Sequence, residues 1–289
     1  GLPATQPHDA IMDFIAPGAR TVGAFELNST GDEIAVFENG LGAADLPHKS
    51  QRWQVQRMNR STRETLATWS FCKLHLTESA VWGARPLGMT YVGRSSEIYL
   101  ATSMPNGLLR LSEDGFNVLD GTLSPAVRIG VSTIQNNEAV YEIPQIKRKD
   151  CEQIRFTIQC FAPRALNAER EHLTFELQTK AGTIRASATG RQMTAEGWYL
   201  MELAIPGLDQ LSVATRLTCR LESDELTFCP PTGRTNMSLV LGDVLLFPQA
   251  TGHIHNYTIG PLAGLNDGTL AAINPESFVQ FWQPGSEQP

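Results

Sequence analysis

Hydrophobic and polar residues alternate with period two along most of this chain, most cleanly between residues 153 and 205. Ile154, Phe156, Ile158 and Cys160 share one face of a strand and Arg155, Thr157 and Gln159 the other, as a half-buried antiparallel strand requires. Leu173, Phe175 and Leu177 repeat the scheme against Thr174, Glu176 and Gln178. Ile184, Ala186 and Ala188 do so against Arg185, Ser187 and Thr189. Three consecutive strands with one dry and one wet face predict stacked sheets. The next strand, 197–205, is different: Tyr199, Met201, Leu203 and Ile205 form a core face, while Trp198 and Leu200 lie with Glu202 on the opposite one. Such a strand either presents an aromatic platform or is buried between two layers. Residues 217–221 and 226–228 read as a hairpin. Residues 237–247 read as a closing strand, apolar on both faces and interrupted by Gly242-Asp243, the mark of a bulge.

The first half has the same rhythm. Strands are predicted at 24–27, 34–37, 53–55, 69–76, 89–92, 97–101 and 108–111, with turn clusters at 28–32, 105–107 and 113–115. In 69–76, Ser70, Cys72, Leu74 and Leu76 share one face and Trp69, Phe71, Lys73 and His75 the other. Asp9 is placed to cap a short helical turn bearing Ile11, Met12, Phe14 and Ile15. Asn274-Pro275-Glu276 opens another, with Phe278, Phe281 and Trp282 on one side. The turn cluster at 120–125 is the best boundary. The pattern therefore predicts an all-β protein of β-sandwich or jelly-roll type, with two sandwich-like units and short peripheral helices. The expected division is a β-rich N-terminal domain (1–122), a jelly-roll β-sandwich domain (123–250) and a C-terminal extension (251–289) whose short helix packs on the domains.

Composition narrows the functional classes. A chain of 289 residues is ample for a sizeable core, and 24 Gly with 17 Pro suits a turn-rich β fold. The formal charge of −7 and the absence of any basic patch beyond Lys147-Arg148-Lys149 argue against a nucleic-acid partner. No apolar run approaches the roughly 18 residues of a membrane span, so membrane insertion is not expected. The start at Gly1, without a charged-then-apolar signal pattern, leaves a removed leader open, and a secreted or cell-surface setting is favoured over a cytoplasmic one. The five cysteines form no CxxC pair. In the predicted hairpin Cys219 and Cys229 fall on opposite faces, as Cys151 and Cys160 do along their strand, so buried free thiols are expected.

The second half resembles the jelly-roll carbohydrate-binding modules of polysaccharide-degrading enzymes. The resemblance rests on Gln153-Ile154-Arg155-Phe156-Thr157-Ile158, the central Gly197-Trp198-Tyr199-Leu200 and the closing Leu241-Gly242-Asp243-Val244-Leu245-Leu246, and covers about half the chain. It implies a module that binds a glycan on a sheet face or at the loop tips, sometimes with a structural calcium near the last strand. Asp243 is the position carried over for that ion. The first half does not match the pattern.

Trp198 is the leading ligand-binding candidate, since an aromatic on an outer sheet face can stack on a sugar ring; burial under another layer is the alternative. Trp82 and Tyr257, beside polar or Gly-rich residues, are further candidates, and Trp53 shares that setting. His253 and His255, two apart, lack an identifiable third metal ligand, and no Gly-x-Ser-x-Gly elbow accompanies any histidine. Glu176 and Glu202 on outward strand faces are the carboxylates a glycosidase reading would use. The expected function is non-catalytic recognition of a polysaccharide or other glycan. A structural or interaction protein of a cell surface or virion is the first alternative, and a polysaccharide-active enzyme with paired carboxylates the second. A homo-oligomer is left open.

Overall fold

The computed structural model describes residues 20–40, 50–75, 86–103, 106–113, 115–118, 127–144, 153–179, 182–206, 215–249, 262–273 and 279–283. They form an all-β sandwich. Its spine is a nine-stranded sheet running β1 (Arg20–Leu27), β2 (Glu33–Gly40), β3 (Ser50–Asn59), β4 (Thr65–His75), β15 (Gly197–Pro206), β12 (Gln153–Ala162), β18 (Ser238–Gln249) and β17 (Thr227–Cys229), with β9 (Val127–Ile129) also on β18. Neighbours are antiparallel except β4 with β15 and β17 with β18. Strands from either side of residue 122 therefore share one sheet.

One face of the spine carries a five-stranded sheet: β10 (Thr133–Gln135), β11 (Glu138–Glu142), β16 (Arg216–Glu222), β13 (His172–Thr179) and β14 (Gly182–Thr189). The opposite face carries a four-stranded meander: β5 (Pro86–Tyr91), β6 (Ile98–Ser103), β7 (Asn106–Ser112) and β8 (Gly115–Val118). A three-stranded sheet of β19 (Leu262–Gly264), β20 (Leu270–Ile273) and β21 (Val279–Trp282) caps the meander's outer face.

The period-two alternation explains this stacking. Phe156, Ile158 and Cys160 of β12 meet Leu173, Phe175 and Leu177 of β13 in the larger core, as their shared parity predicts. Along β15 the parity splits between two cores. Tyr199, Met201 and Leu203 join the larger one, while Trp198 and Leu200 join a second formed with Met89, Tyr91, Ile98, Leu100, Leu109 and Leu111 of the meander. Trp69 and Phe71 of β4 also face the meander, and Cys72 faces the five-stranded sheet. Each such side chain, fully buried, contributes on the order of 1.5–3 kcal/mol of transfer free energy. The exposed face of the five-stranded sheet is an ion-pair ladder: Glu138 to Arg220 at 2.8 Å, Arg220 to Glu176 at 2.7 Å and Glu176 to Arg185 at 2.7 Å.

Two expected elements differ. Strands β16 and β17 do not form a hairpin: β16 pairs with β11 and β13, whereas β17 crosses to the spine and pairs with β18. The matched apolar residues on either side of the turn face one core from two sheets, which alternation alone cannot distinguish from a hairpin. The C-terminal helix expected from Asn274 is a strand over 279–282, paired with β20 from Ile273 opposite Val279 to Leu270 opposite Trp282. Ladder bonds to β20 decide the conformation of residues whose spacing suits either form. Among the described residues the helical structure is the 3₁₀ turn Pro231–Gly233. The turn expected at Asp9 lies outside them. Cys160, Cys219 and Cys229 are buried free thiols and Cys72 is buried as well; burial pushes the Cys160 and Cys219 thiols up.

A buried carboxylate ties the β12–β13 loop to the β16–β17 connection. Glu171, 4% exposed, accepts two bonds from Arg164 at 2.7 and 2.9 Å, one from the Asn167 amide at 2.7 Å and one from the Ser223 hydroxyl at 2.7 Å. The Arg164 guanidinium is the largest cause that holds its carboxyl down at about 2, against an ordinary value of 4.5. A lowered folded-state value contributes stability that is complete above the ordinary carboxylate range and is lost as pH falls through it toward 2. Glu171→Gln is expected to cost about 2 kcal/mol at neutral pH. It should also flatten the fall in urea midpoint between pH 5 and about 2. Equilibrium unfolding at a series of pH values measures both.

Candidate functional site

The parallel register of β4 and β15 sets up the candidate site. Trp198 pairs with Trp69 and, on its other side, with Phe161, so the three rings form a cross-strand row over β4, β15 and β12. The Phe161 and Trp198 rings meet edge to face with centroids 5.5 Å apart, a favoured aromatic geometry. Both indoles donate to the turn that joins β7 to β8: Trp69 Nε1 to the Ser112 carbonyl at 2.9 Å and Trp198 Nε1 to the Glu113 carbonyl at 3.0 Å. Gly115, which closes that turn, has φ +122°, and a Cβ there would lie 3.4 Å from the Trp198 ring and 3.2 Å from Gln159 Oε1. Only glycine combines that backbone with such close approach.

Arg57 is a second fastener between the spine and the meander. The side chain, on β3, is buried; it donates to the Ser96 carbonyl at 3.0 Å and to the Glu113 carboxylate at 2.9 Å, with Glu33 3.6 Å away. The adjacent Tyr91 hydroxyl is pushed up, by burial first and then by the Glu33 charge.

Pairing between β4 and β15 begins at Trp69, but β4 itself begins at Thr65. The overhang leaves a cleft of about 600 Å³ at the end of the aromatic row. One wall is residues 65–68 with Gln56, a second is Ser112 and Glu113, and a third runs from Ala195 to Trp198. Gly197, with φ +146°, brings the third wall against the first; a Cβ there would lie 2.7 Å from the Thr68 carbonyl. Arg234, directly after the 3₁₀ turn, forms the lip. Its guanidinium lies over the Phe161 ring, 3.5 Å from the centroid, with Glu196 3.9 Å from Nη2.

The positions expected from sequence fall differently around this cleft. Trp198 lines it but is 8% exposed, its ring covered by the meander, so it is a wall and not an open stacking platform. Trp53 is likewise in the core. Trp82, Tyr257, His253 and His255 lie outside the described residues, as do the side chains of His75 and Glu202. Glu176 is occupied by Arg185 and Arg220. Asp243 is partly exposed on β18, next to Gly242, whose carbonyl accepts from the Tyr141 hydroxyl at 2.9 Å. Among the described residues no three His, Cys, Asp or Glu side chains gather to hold a metal ion.

Arg234, Glu196, Glu113, Gln56 and Phe161 come together only through the fold. Alternation along β12 does place Phe161 opposite Cys160, on the Trp198 side. No sequence spacing links residues 56, 113, 196 and 234.

No protein-family model matches the chain, and no curated protein matches it. Among solved structures, it is similar to an exo-β-1,3-galactanase from Phanerochaete chrysosporium determined with galactose, at 10% identity and a TM-score of 0.23, covering 78% of this chain and 57% of that one. It is also similar to the same enzyme carrying one substitution, with β-1,3-galactotriose, at 9% identity and a TM-score of 0.24, covering 78% and 56%. The chain thus spans little more than half the length of that enzyme.

The burial of Trp198 makes it a stability residue. Trp198→Ala is expected to destabilise the protein by about 3–5 kcal/mol, through the cavity and the stranded Glu113 carbonyl. Equilibrium denaturation followed by fluorescence and circular dichroism checks this.

Proposed function

We propose that the protein is a non-catalytic glycan-binding β-sandwich and that its ligand enters the cleft between the start of β4, the β7–β8 turn and Arg234. The supporting observation is the character of that lining. Aromatic and apolar groups, including the partly exposed Leu66 and the edge of Trp198, alternate with the polar side chains of Gln56, Thr65, Thr68, Glu196 and Arg234. Among the described residues, the side chains of Gln56, Thr65 and Thr68 have no hydrogen-bond partner. A sugar needs both chemistries at once, an apolar surface for its C–H groups and donors and acceptors for its hydroxyls. A cleft of this volume accommodates a short oligosaccharide. A secreted or cell-surface setting, where free glycans are met, suits such a role.

Glu113 and Glu196 line the same cleft, which keeps the enzyme alternative in view. Their side chains are 74% and 67% exposed and lie beside Arg57 and Arg234, outside the apolar surroundings a general-acid carboxyl requires. This favours binding over hydrolysis. A specific observation also supports the interaction-protein reading: Ile273, Val279 and Phe281 expose 39%, 56% and 58% of their surface on the capping sheet, in which β21 is one of the two edge strands.

A glycan array followed by titration calorimetry separates these readings. Gln56→Ala and Arg234→Ala should each weaken binding of the best oligosaccharide by at least about fivefold while lowering the unfolding free energy by no more than about 1 kcal/mol. Release of reducing ends by the parent, lost in Glu113→Gln or Glu196→Gln, would establish the enzyme. Failure to bind any glycan, together with a discrete dimer in light scattering, would favour the interaction protein.

A further inference from the structure

Phe161 is 4% exposed, and the group lying over its ring is the Arg234 guanidinium. A ligand entering the cleft therefore meets Arg234, not the phenyl ring. Stacking at 3.5 Å restrains the plane of the guanidinium, so its fork of N–H groups is presented in a limited set of orientations. Among the described residues, none of those donors has an acceptor within hydrogen-bond distance. The facing carboxylate, Glu196, is 3.9 Å from Nη2, beyond a direct hydrogen bond. A hydroxyl oxygen about 2.9 Å from that nitrogen and about 2.7 Å from the carboxylate oxygen would fit the gap. It would accept from the guanidinium and donate to the carboxylate.

We infer that the Arg234–Glu196 pair reads sugar hydroxyls and selects an uncharged glycan with a vicinal diol over uronate-bearing or sulfated chains; the inference rests on the glycan-binding reading above. Two N–H groups of a guanidinium can donate to the two oxygens of a vicinal diol, though more weakly than to a carboxylate. Only the diol also brings protons to give to Glu196. An anion at the same place would have to replace Glu196 as the partner of Arg234 and remain in its field, with the Glu113 carboxylate on another wall. The pair is thus complementary to hydroxyls and discriminates against negative charge.

Titration calorimetry on the full chain tests this with three probes: neutral hexose oligosaccharides, their uronic-acid counterparts, and the neutral set after periodate cleavage of its vicinal diols. The neutral set should bind with an affinity that changes less than about twofold between roughly 50 and 500 mM salt. Periodate treatment should abolish binding. Arg234→Lys, which keeps the charge and loses the fork, and Glu196→Ala should each weaken it by at least about fivefold. Tighter, salt-sensitive binding of the uronates by the parent protein would overturn the inference while leaving the glycan reading in place. Undiminished neutral binding in Arg234→Lys would do the same. If none of the three sets binds, and the array is also blank, the glycan reading falls and this inference falls with it.

Discussion

The two indole N–H groups that reach across a layer boundary are the constraint on which the rest of this structure depends. Trp69 and Trp198 are neighbours in parallel register on the spine, and each donates to a carbonyl of one turn in the meander, at Ser112 and Glu113. An indole buried without an acceptor would carry an unmet donor, so burial of these rings and docking of the meander are a single event. Arg57 adds a third link to the same turn through Glu113. The three fasteners lie beside the aliphatic contacts of the second core, which contribute area but little orientation.

This junction joins the two halves of the chain. β4 comes from the first half and β15 from the second, and their parallel pairing makes one sheet of two runs of strands. β15 is consequently covered on both sides, by the five-stranded sheet over Tyr199 and Met201 and by the meander over Trp198 and Leu200. The cleft is a by-product of the same register: β4 starts four residues before its pairing with β15, and the space beyond Trp198 is closed off by the β7–β8 turn on one side and Arg234 on another. Fold and candidate site are two consequences of one alignment.

Much of this was legible in the sequence where the physics is local. Strands β12, β13 and β14 bury the faces their alternation predicts, because a half-buried strand writes its orientation into every second residue. The two apolar faces of β15 were equally visible, but they fit a platform and a buried strand alike; the covering residues lie about a hundred positions earlier and carry no local mark of that contact. Non-local pairing also explains the apparent β16–β17 hairpin, whose apolar residues face one core from two different sheets. At the C-terminus, Phe281 and Trp282 satisfy helical spacing, yet the ladder with β20 determines the outcome. The cleft residues were the least legible: Gln56, Glu113, Glu196 and Arg234 are ordinary polar residues of strand ends and turns until the fold assembles them.

Hydrogen exchange at the Trp69 and Trp198 indole N–H groups, followed by NMR alongside the backbone amides of β12 and β13, tests most directly whether the meander and the spine form one unit. If the indole bonds hold the layers together, both indole protons exchange as slowly as the most protected core amides and respond with them to denaturant. Exchange of either indole at the rate of an exposed side chain, while the β12 and β13 amides remain protected, would contradict the account, because the meander would then separate from a spine that stays folded.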